Sequence, residues 1–150
     1  MTVAVRKASP REPGATALLT ASHAYLRALY PPEDNYFLSI DDLCVPAIAF
    51  FVAEREGVTL ACAALATKDG YGEVKSMFTA PDARGAGTGA LLMQALEAEA
   101  RAQGLPLMRL ETGDNLYAAH RLYQRHGFSL SGPFGDYTEG PHSVFMEKRL

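Results

Sequence analysis

Residues 84–89 read Arg84-Gly85-Ala86-Gly87-Thr88-Gly89 and join two different periodicities. Upstream, Gly72-Glu73-Val74-Lys75-Ser76-Met77-Phe78-Thr79 alternates as a strand does and ends at Pro81. Downstream, Ala90-Leu91-Leu92-Met93-Gln94-Ala95-Leu96-Glu97 repeats at helical spacing. Gly85, Gly87 and Gly89 strip side chains from the backbone where the helix begins. The first N–H groups of a helix have no partner within it, so they point outward and favour an anion, most often a phosphate. A phosphate-bearing ligand is therefore expected at this turn.

Two familiar phosphate turns can be compared with it. A P-loop ends in Gly-Lys-Ser or Gly-Lys-Thr, and neither is present. A Rossmann turn fits better: Gly85, Gly87 and Ala90 satisfy its permissive form, and Glu111 lies about 20 residues on, where a ribose-binding acid would stand. Against it, Pro81-Asp82-Ala83-Arg84 separates the strand from the first glycine. The strand also alternates, whereas strands of a doubly wound parallel sheet are usually continuous apolar runs. A dinucleotide-dependent oxidoreductase stays as the alternative from that reading.

The run from Glu73 to Gly89 resembles motif A of the GNAT acyltransferases, in which Arg/Gln-x-x-Gly-x-Gly/Ala follows a strand and a proline; Arg84, Gly87 and Gly89 fit directly. Leu122-Tyr123-Gln124-Arg125-His126-Gly127-Phe128 is similar to Leu-Tyr-x-x-x-Gly-Phe of motif B. Both motifs stand in order and at the right spacing, and the resemblance covers roughly residues 45–150. Leu110-Glu111-Thr112-Gly113, Gly132-Pro133-Phe134-Gly135-Asp136-Tyr137 and Ser143-Val144-Phe145-Met146-Glu147-Lys148 look like a small bacterial subfamily. Some of its members are named for indole acetate. At one position the chain departs from the family: Leu116 stands where an asparagine is usual, with Asn115 one place earlier.

The chain has 150 residues, the size of a single domain with one substantial core, taken as 1–150. Its longest apolar stretch, 43–53, is far short of the ~20 residues of a membrane span and contains Pro46. No signal pattern opens the chain, so a cytoplasmic protein with no membrane partner is expected. Cys44 and Cys62 lack metal-ligand spacing, and His120 and His126, six apart, fall on different helix faces. No metal is expected. The formal net charge is −3 with no basic run, which argues against nucleic acid. Glu33-Asp34 and Asp41-Asp42 make an acidic segment suited to attracting a cationic amine.

Local patterning predicts strands at 2–7, 47–55, 58–67, 71–79, 107–111, 128–131 and 143–148, with a turn at 9–14. Helices are expected at 15–30, ended by Pro31-Pro32, at 36–43, at 88–102, closed by Gly104, and at 117–125, closed by Gly127. The order β-α-α-β-β-β-α-β-α-β-β is an α/β arrangement, a mixed sheet with helices on its faces, and it is the order of the GNAT fold.

The resemblance implies an N-acetyltransferase that uses acetyl-CoA as co-substrate. The pyrophosphate would rest on the N–H groups of Gly85, Ala86, Gly87, Thr88, Gly89 and Ala90, with charge from Arg84. Met77, Phe78 and Thr79 would hold the pantetheine arm and acyl group, the Met77 amide stabilising the oxyanion. Asn115 and Tyr123 complete the cofactor contacts. The acceptor is an amine of a small molecule or peptide, with Glu111, Tyr36, Asp136 and Tyr137 as its contacts. Glu73, four residues before Met77, falls on the same face by period two and is expected to be the base; Glu111 is the other candidate. Tyr123 is expected to reprotonate the thiolate. A homodimer is compatible with such a chain. A CoA-binding sensor without turnover is a further alternative.

Overall fold

The computed structural model describes residues 2–150. In chain order it forms β1 (Ala4–Lys7), α1 (Pro13–Leu29), α2 (Ile40–Leu43), β2 (Ile48–Arg55), β3 (Val58–Lys68), β4 (Tyr71–Thr79) and α3 (Thr88–Ala102). There follow β5 (Leu107–Gly113), α4 (Tyr117–Arg125), β6 (Ser129–Ser131) and β7 (Ser143–Arg149). The seven strands make one sheet in the order β1-β2-β3-β4-β5-β7-β6. Every neighbouring pair is antiparallel except β4 and β5, which are joined through α3 and run parallel. The element order is the one expected from the sequence.

β3 shows why the sheet is covered on both sides. Its run Leu60-Ala61-Cys62-Ala63-Ala64-Leu65-Ala66 is apolar at every position, and all seven residues are buried. Successive side chains point to opposite faces. Ala61, Ala63 and Leu65 pack with Leu92, Met93 and Leu96 of α3 and Tyr123 of α4. Cys62 and Ala64 pack with Leu18 and Leu19 of α1 and Leu43 of α2. Small residues in this interior strand let helices approach from both sides. Among the described residues, no helix is long and apolar enough to cross a membrane.

Two expected boundaries move. α1 begins at Pro13 inside the expected turn, because proline is tolerated where a helical N–H would be unpaired. The helix expected at 36–43 is only Ile40–Leu43. Ser39 caps it: its Oγ accepts the Asp42 N–H at 3.0 Å, and Asp42 accepts the Ser39 N–H. Residues 35–39 are irregular, so Tyr36 and Phe37 are carried on loop backbone.

Tyr30, just past α1, ties this loop side to the end of β5. Its hydroxyl accepts the Asn115 N–H at 3.2 Å and lies directly over the Cα of Gly113. A methyl group at Gly113 would overlap that hydroxyl. Gly113→Ala should therefore cost about 1–3 kcal/mol, the usual range for overpacking a filled site. Urea unfolding would measure this; unchanged stability would mean that Tyr30 is not held there.

Candidate active site

The glycine turn is built as the sequence implies. Gly85 and Gly87 have φ of 86° and 79°, a left-handed conformation costly for residues with a Cβ. Gly87 is the N-cap of α3 and makes no side-chain cap. The α3 amides at the turn are thus free for a ligand. Around Gly85 and Gly87 the space is open. Gly89 serves packing instead, since a Cβ there would press Leu122 of α4 at 3.0 Å. Thr79 and Thr88 hydroxyls lie 3.4 Å apart and join the end of β4 to the start of α3.

A cavity of about 750 Å³ runs from this turn across the end of the sheet. Arg84, Gly85, Gly87, Thr88, Gly89 and Ala90 line one end. Met77, Phe78 and Thr79 line its middle, with Glu111, Asn115 and Tyr123. Tyr36, Lys75 and residues of α1 line the other end. Ala86 does not line it, and its N–H is turned inward to the Ala83 carbonyl at 3.3 Å. The cavity exists because β4 and β5 stay paired only from Gly72–Met108 to Val74–Leu110. Beyond those pairs both strands continue, to Thr79 and Gly113, without pairing to each other.

A β-bulge sits in the same stretch. Cys62 pairs Phe78 while Ala64 pairs Lys75, so Ala63 stands opposite both Ser76 and Met77. Ser76 takes the positive φ, 56°. The bulge corrects the expectation that Glu73 and Met77 share a face. An extra residue reverses the parity of everything after it. Glu73 faces the α1 side with Lys75, whereas Met77 packs with the α3 and α4 cluster.

On the α1 face lies a connected polar group. Glu73 is buried at 5% exposure and accepts the Tyr137 hydroxyl at 2.5 Å. Lys75 Nζ donates to Tyr137 Oη at 2.9 Å and to the Tyr36 carbonyl at 3.0 Å, and stands 3.6 Å from Glu73. Glu111 lies nearby; its Oε2 accepts the Ser143 hydroxyl at 2.9 Å. Burial raises the Glu111 carboxyl above the usual carboxylate range, the Ser143 bond and Lys75 pull it back, and the charges of Glu73 and Asp34 add to the rise. Tyr123 is buried, and burial, with the Glu111 charge second, pushes its phenol well above the ordinary tyrosine value.

Of the residues named from sequence, Tyr36, Glu73, Glu111 and Tyr137 come together here. Glu73 and Tyr137 do not line the cavity, whereas Glu111 does. Asp136 is exposed and lies outside this wall. Asn115 reaches the cavity, and its backbone N–H donates to the Tyr30 hydroxyl. Lys75, Ser143 and Tyr30 were not anticipated. Lys75 carried a signal, as a lysine two positions after a glutamate on one strand; Ser143 and Tyr30 join through pairings no local pattern encodes.

The sequence pattern of the Acetyltransferase (GNAT) family matches residues 15–128. The IAA acetyltransferase of Azospirillum brasilense is 45% identical over 152 residues, which cover 99% of this chain and 98% of the relative. A chain described as an acyl-CoA N-acyltransferase from Klebsiella pneumoniae superposes with a TM-score of 0.84 at 31% identity, covering 99% and 98% of the two chains. The yncA structure from Salmonella typhimurium, which holds acetyl-CoA, shares the fold, with a TM-score of 0.74 at 20% identity over 99% and 94%. The chain belongs to the GNAT family of acetyltransferases and is an acyltransferase.

The turn makes a separable prediction. Gly87→Asn, which tolerates the left-handed conformation, should retain coenzyme A binding. Gly87→Glu should weaken it by about 100-fold or more, since like charges roughly 4 Å apart repel by several kcal/mol near a surface. Calorimetry on both variants checks this; equal affinities would place the phosphates elsewhere.

Proposed function

We propose that this chain transfers the acetyl group of acetyl-CoA to the amine of a small molecule or peptide by direct attack. One observation carries the reading: a single cavity joins the free amides of α3 to Glu111 and Tyr123 through the gap between β4 and β5. Phosphates fit the amides and Arg84 at one end. The unpaired edge of β4 fits an extended amide-bearing arm, as an added strand would. The Met77 amide is then the donor available to charge developing on the acyl oxygen.

An alkyl ammonium has a pKa near 10 and must lose a proton before it attacks. Of the two carboxylates, Glu111 has the geometry of the acceptor for that proton. It lines the cavity, and burial disfavours its charged form, which makes it a better base. Glu73 is committed to Tyr137 and faces the Lys75 ammonium. It holds that floor of the site together, and Ser143 orients Glu111. Tyr123 remains protonated and is a donor for the leaving thiolate.

Glu111→Gln should lower kcat by about 100-fold with acetyl-CoA affinity retained, and Glu73→Gln by less than about tenfold. The reverse ranking would exchange their roles. Glu111 acts only when ionised, so kcat should fall as pH drops through its raised pKa. Ser143→Ala removes a bond to the charged form and should move that acid limb to higher pH, and Ser143→Thr should restore it. An unmoved limb would separate Ser143 from the base.

Tyr123→Phe keeps the ring and loses one hydroxyl, so stability should change by about 1 kcal/mol at most. Turnover should fall about 100-fold if the phenol is the acid. Full turnover in the Phe variant would leave Tyr123 a packing residue.

A further inference from the structure

We propose that the acceptor is a primary alkyl amine that carries an aromatic ring, bound as a cation, with its ring against the loop side of α1; the inference rests on the acetyl-transfer reading above. The cavity is bipolar. Arg84, Arg125 and the α3 amides lie at the donor end, whereas Asp34 and Glu111 are the carboxylates lining it beside α1 and its loop. The charge of Asp34 is felt at Glu111, so the two act on one space. The Lys75 ammonium in that wall donates to Tyr36 and Tyr137, stands 3.6 Å from Glu73 and also acts on Glu111, so Glu73, Glu111 and Asp34 outnumber the one cation among them. An ammonium is therefore attracted there, and a carboxylate meets two acids.

The rest of the wall is aromatic. Ser22 and Leu26, four residues apart on α1, turn to the cavity with Tyr25 beside them and Tyr30 just past the helix end. Tyr36 and Phe37 face in from the irregular loop. Phe37 is fixed by His23, stacked at 4.2 Å, and Tyr36 by Tyr137, edge-on at 5.2 Å. Rings already held in place bind another ring with little loss of freedom. Tyr25 is 44% exposed and has no ring or hydrogen-bond partner among the described residues. His23 is buried in this wall, and its Nε2 is unpartnered.

The test compares 2-phenylethylamine with hexylamine, equal in charge and similar in reach, by acetyl-CoA-dependent thiol release from the whole protein. Phenylacetate is added as a competitor that carries the ring without the cation. The aromatic amine should have the higher kcat/KM by about tenfold, the scale of a well-placed aromatic contact together with its ring burial. Phenylacetate should inhibit at least about tenfold more weakly than 2-phenylethylamine binds. Tyr25→Ala, at an exposed helical position, should reduce the aromatic-to-aliphatic ratio. Equal or inverted rates for the two amines, or competition by phenylacetate as strong as by the amine, would overturn the assignment and leave acetyl transfer standing. Failure of the protein to bind acetyl-CoA would overturn the transfer reading and this inference with it.

Discussion

The site depends on where two parallel strands stop pairing. β4 and β5 hold together over Gly72–Val74 and Met108–Leu110. Past Val74 the bulge at Ser76 changes the course of β4, while β5 stays bound to β7 as far as Gly113. Bulges add local twist and bend the strand that carries them. The part of β4 beyond Val74 keeps β3 as partner on one edge only. An unpartnered strand edge is normally a hazard because its backbone groups seek another chain. Here the edge lies inside a cavity between helices, where a ligand can reach it and another sheet cannot.

Electrostatics divides the two carboxylates that the parted strands bring near each other. Glu73 is buried and Glu111 is half-buried, and an uncompensated charge taken out of water is expensive. Glu73 is compensated by a short bond from Tyr137 and by Lys75. Glu111 receives one hydroxyl, from Ser143, lies farther from Lys75 than a direct bond allows, and feels two further negative charges. The compensated acid is stable and chemically quiet. The under-compensated acid holds a proton more readily, which suits it to the role of base proposed above. The same Glu111 charge bears on Tyr123 and, after burial, adds to the rise of its phenol.

Much of the fold was legible because local chemistry punctuates it. Pro31-Pro32, Gly104 and Gly127 stop helices, and the glycine turn marks the strand-to-helix junction. The glycine-turn end of the cavity was legible for the same reason, being contiguous in sequence. The end beside α1 was not. Residues 36–43 carry helical spacing, yet the Ser39 cap starts the helix only at Ile40 and leaves Tyr36 and Phe37 on loop. Lys75, Tyr137 and Tyr36 meet through strand register and loop return, which no short window contains. The bulge was invisible for a different reason. Period two is the rule for a strand, and nothing in Lys75-Ser76-Met77 announces the extra residue.

That extra residue has a mechanistic sense beyond the shape of the cleft. A serine at φ 56° is strained by about 1–3 kcal/mol, and such strain persists only where the surroundings over-determine it. The surroundings here are apolar clusters on both sheet faces, one holding Met77 and the other Phe78. The reversal of parity at Ser76 turns the last residues of β4 about. Glu73 and Lys75 belong to the α1 side, and Met77 to the α3 side. A regular strand would put the Met77 side chain on the α1 face, into the space left for an acceptor. With the bulge, that side chain packs away under α3 and α4 while its backbone stays at the gap. On the acetyl-transfer reading proposed above, the α1 side of the Met77 backbone is thereby left clear for an acceptor, so the strain at Ser76 is tied to keeping that space open.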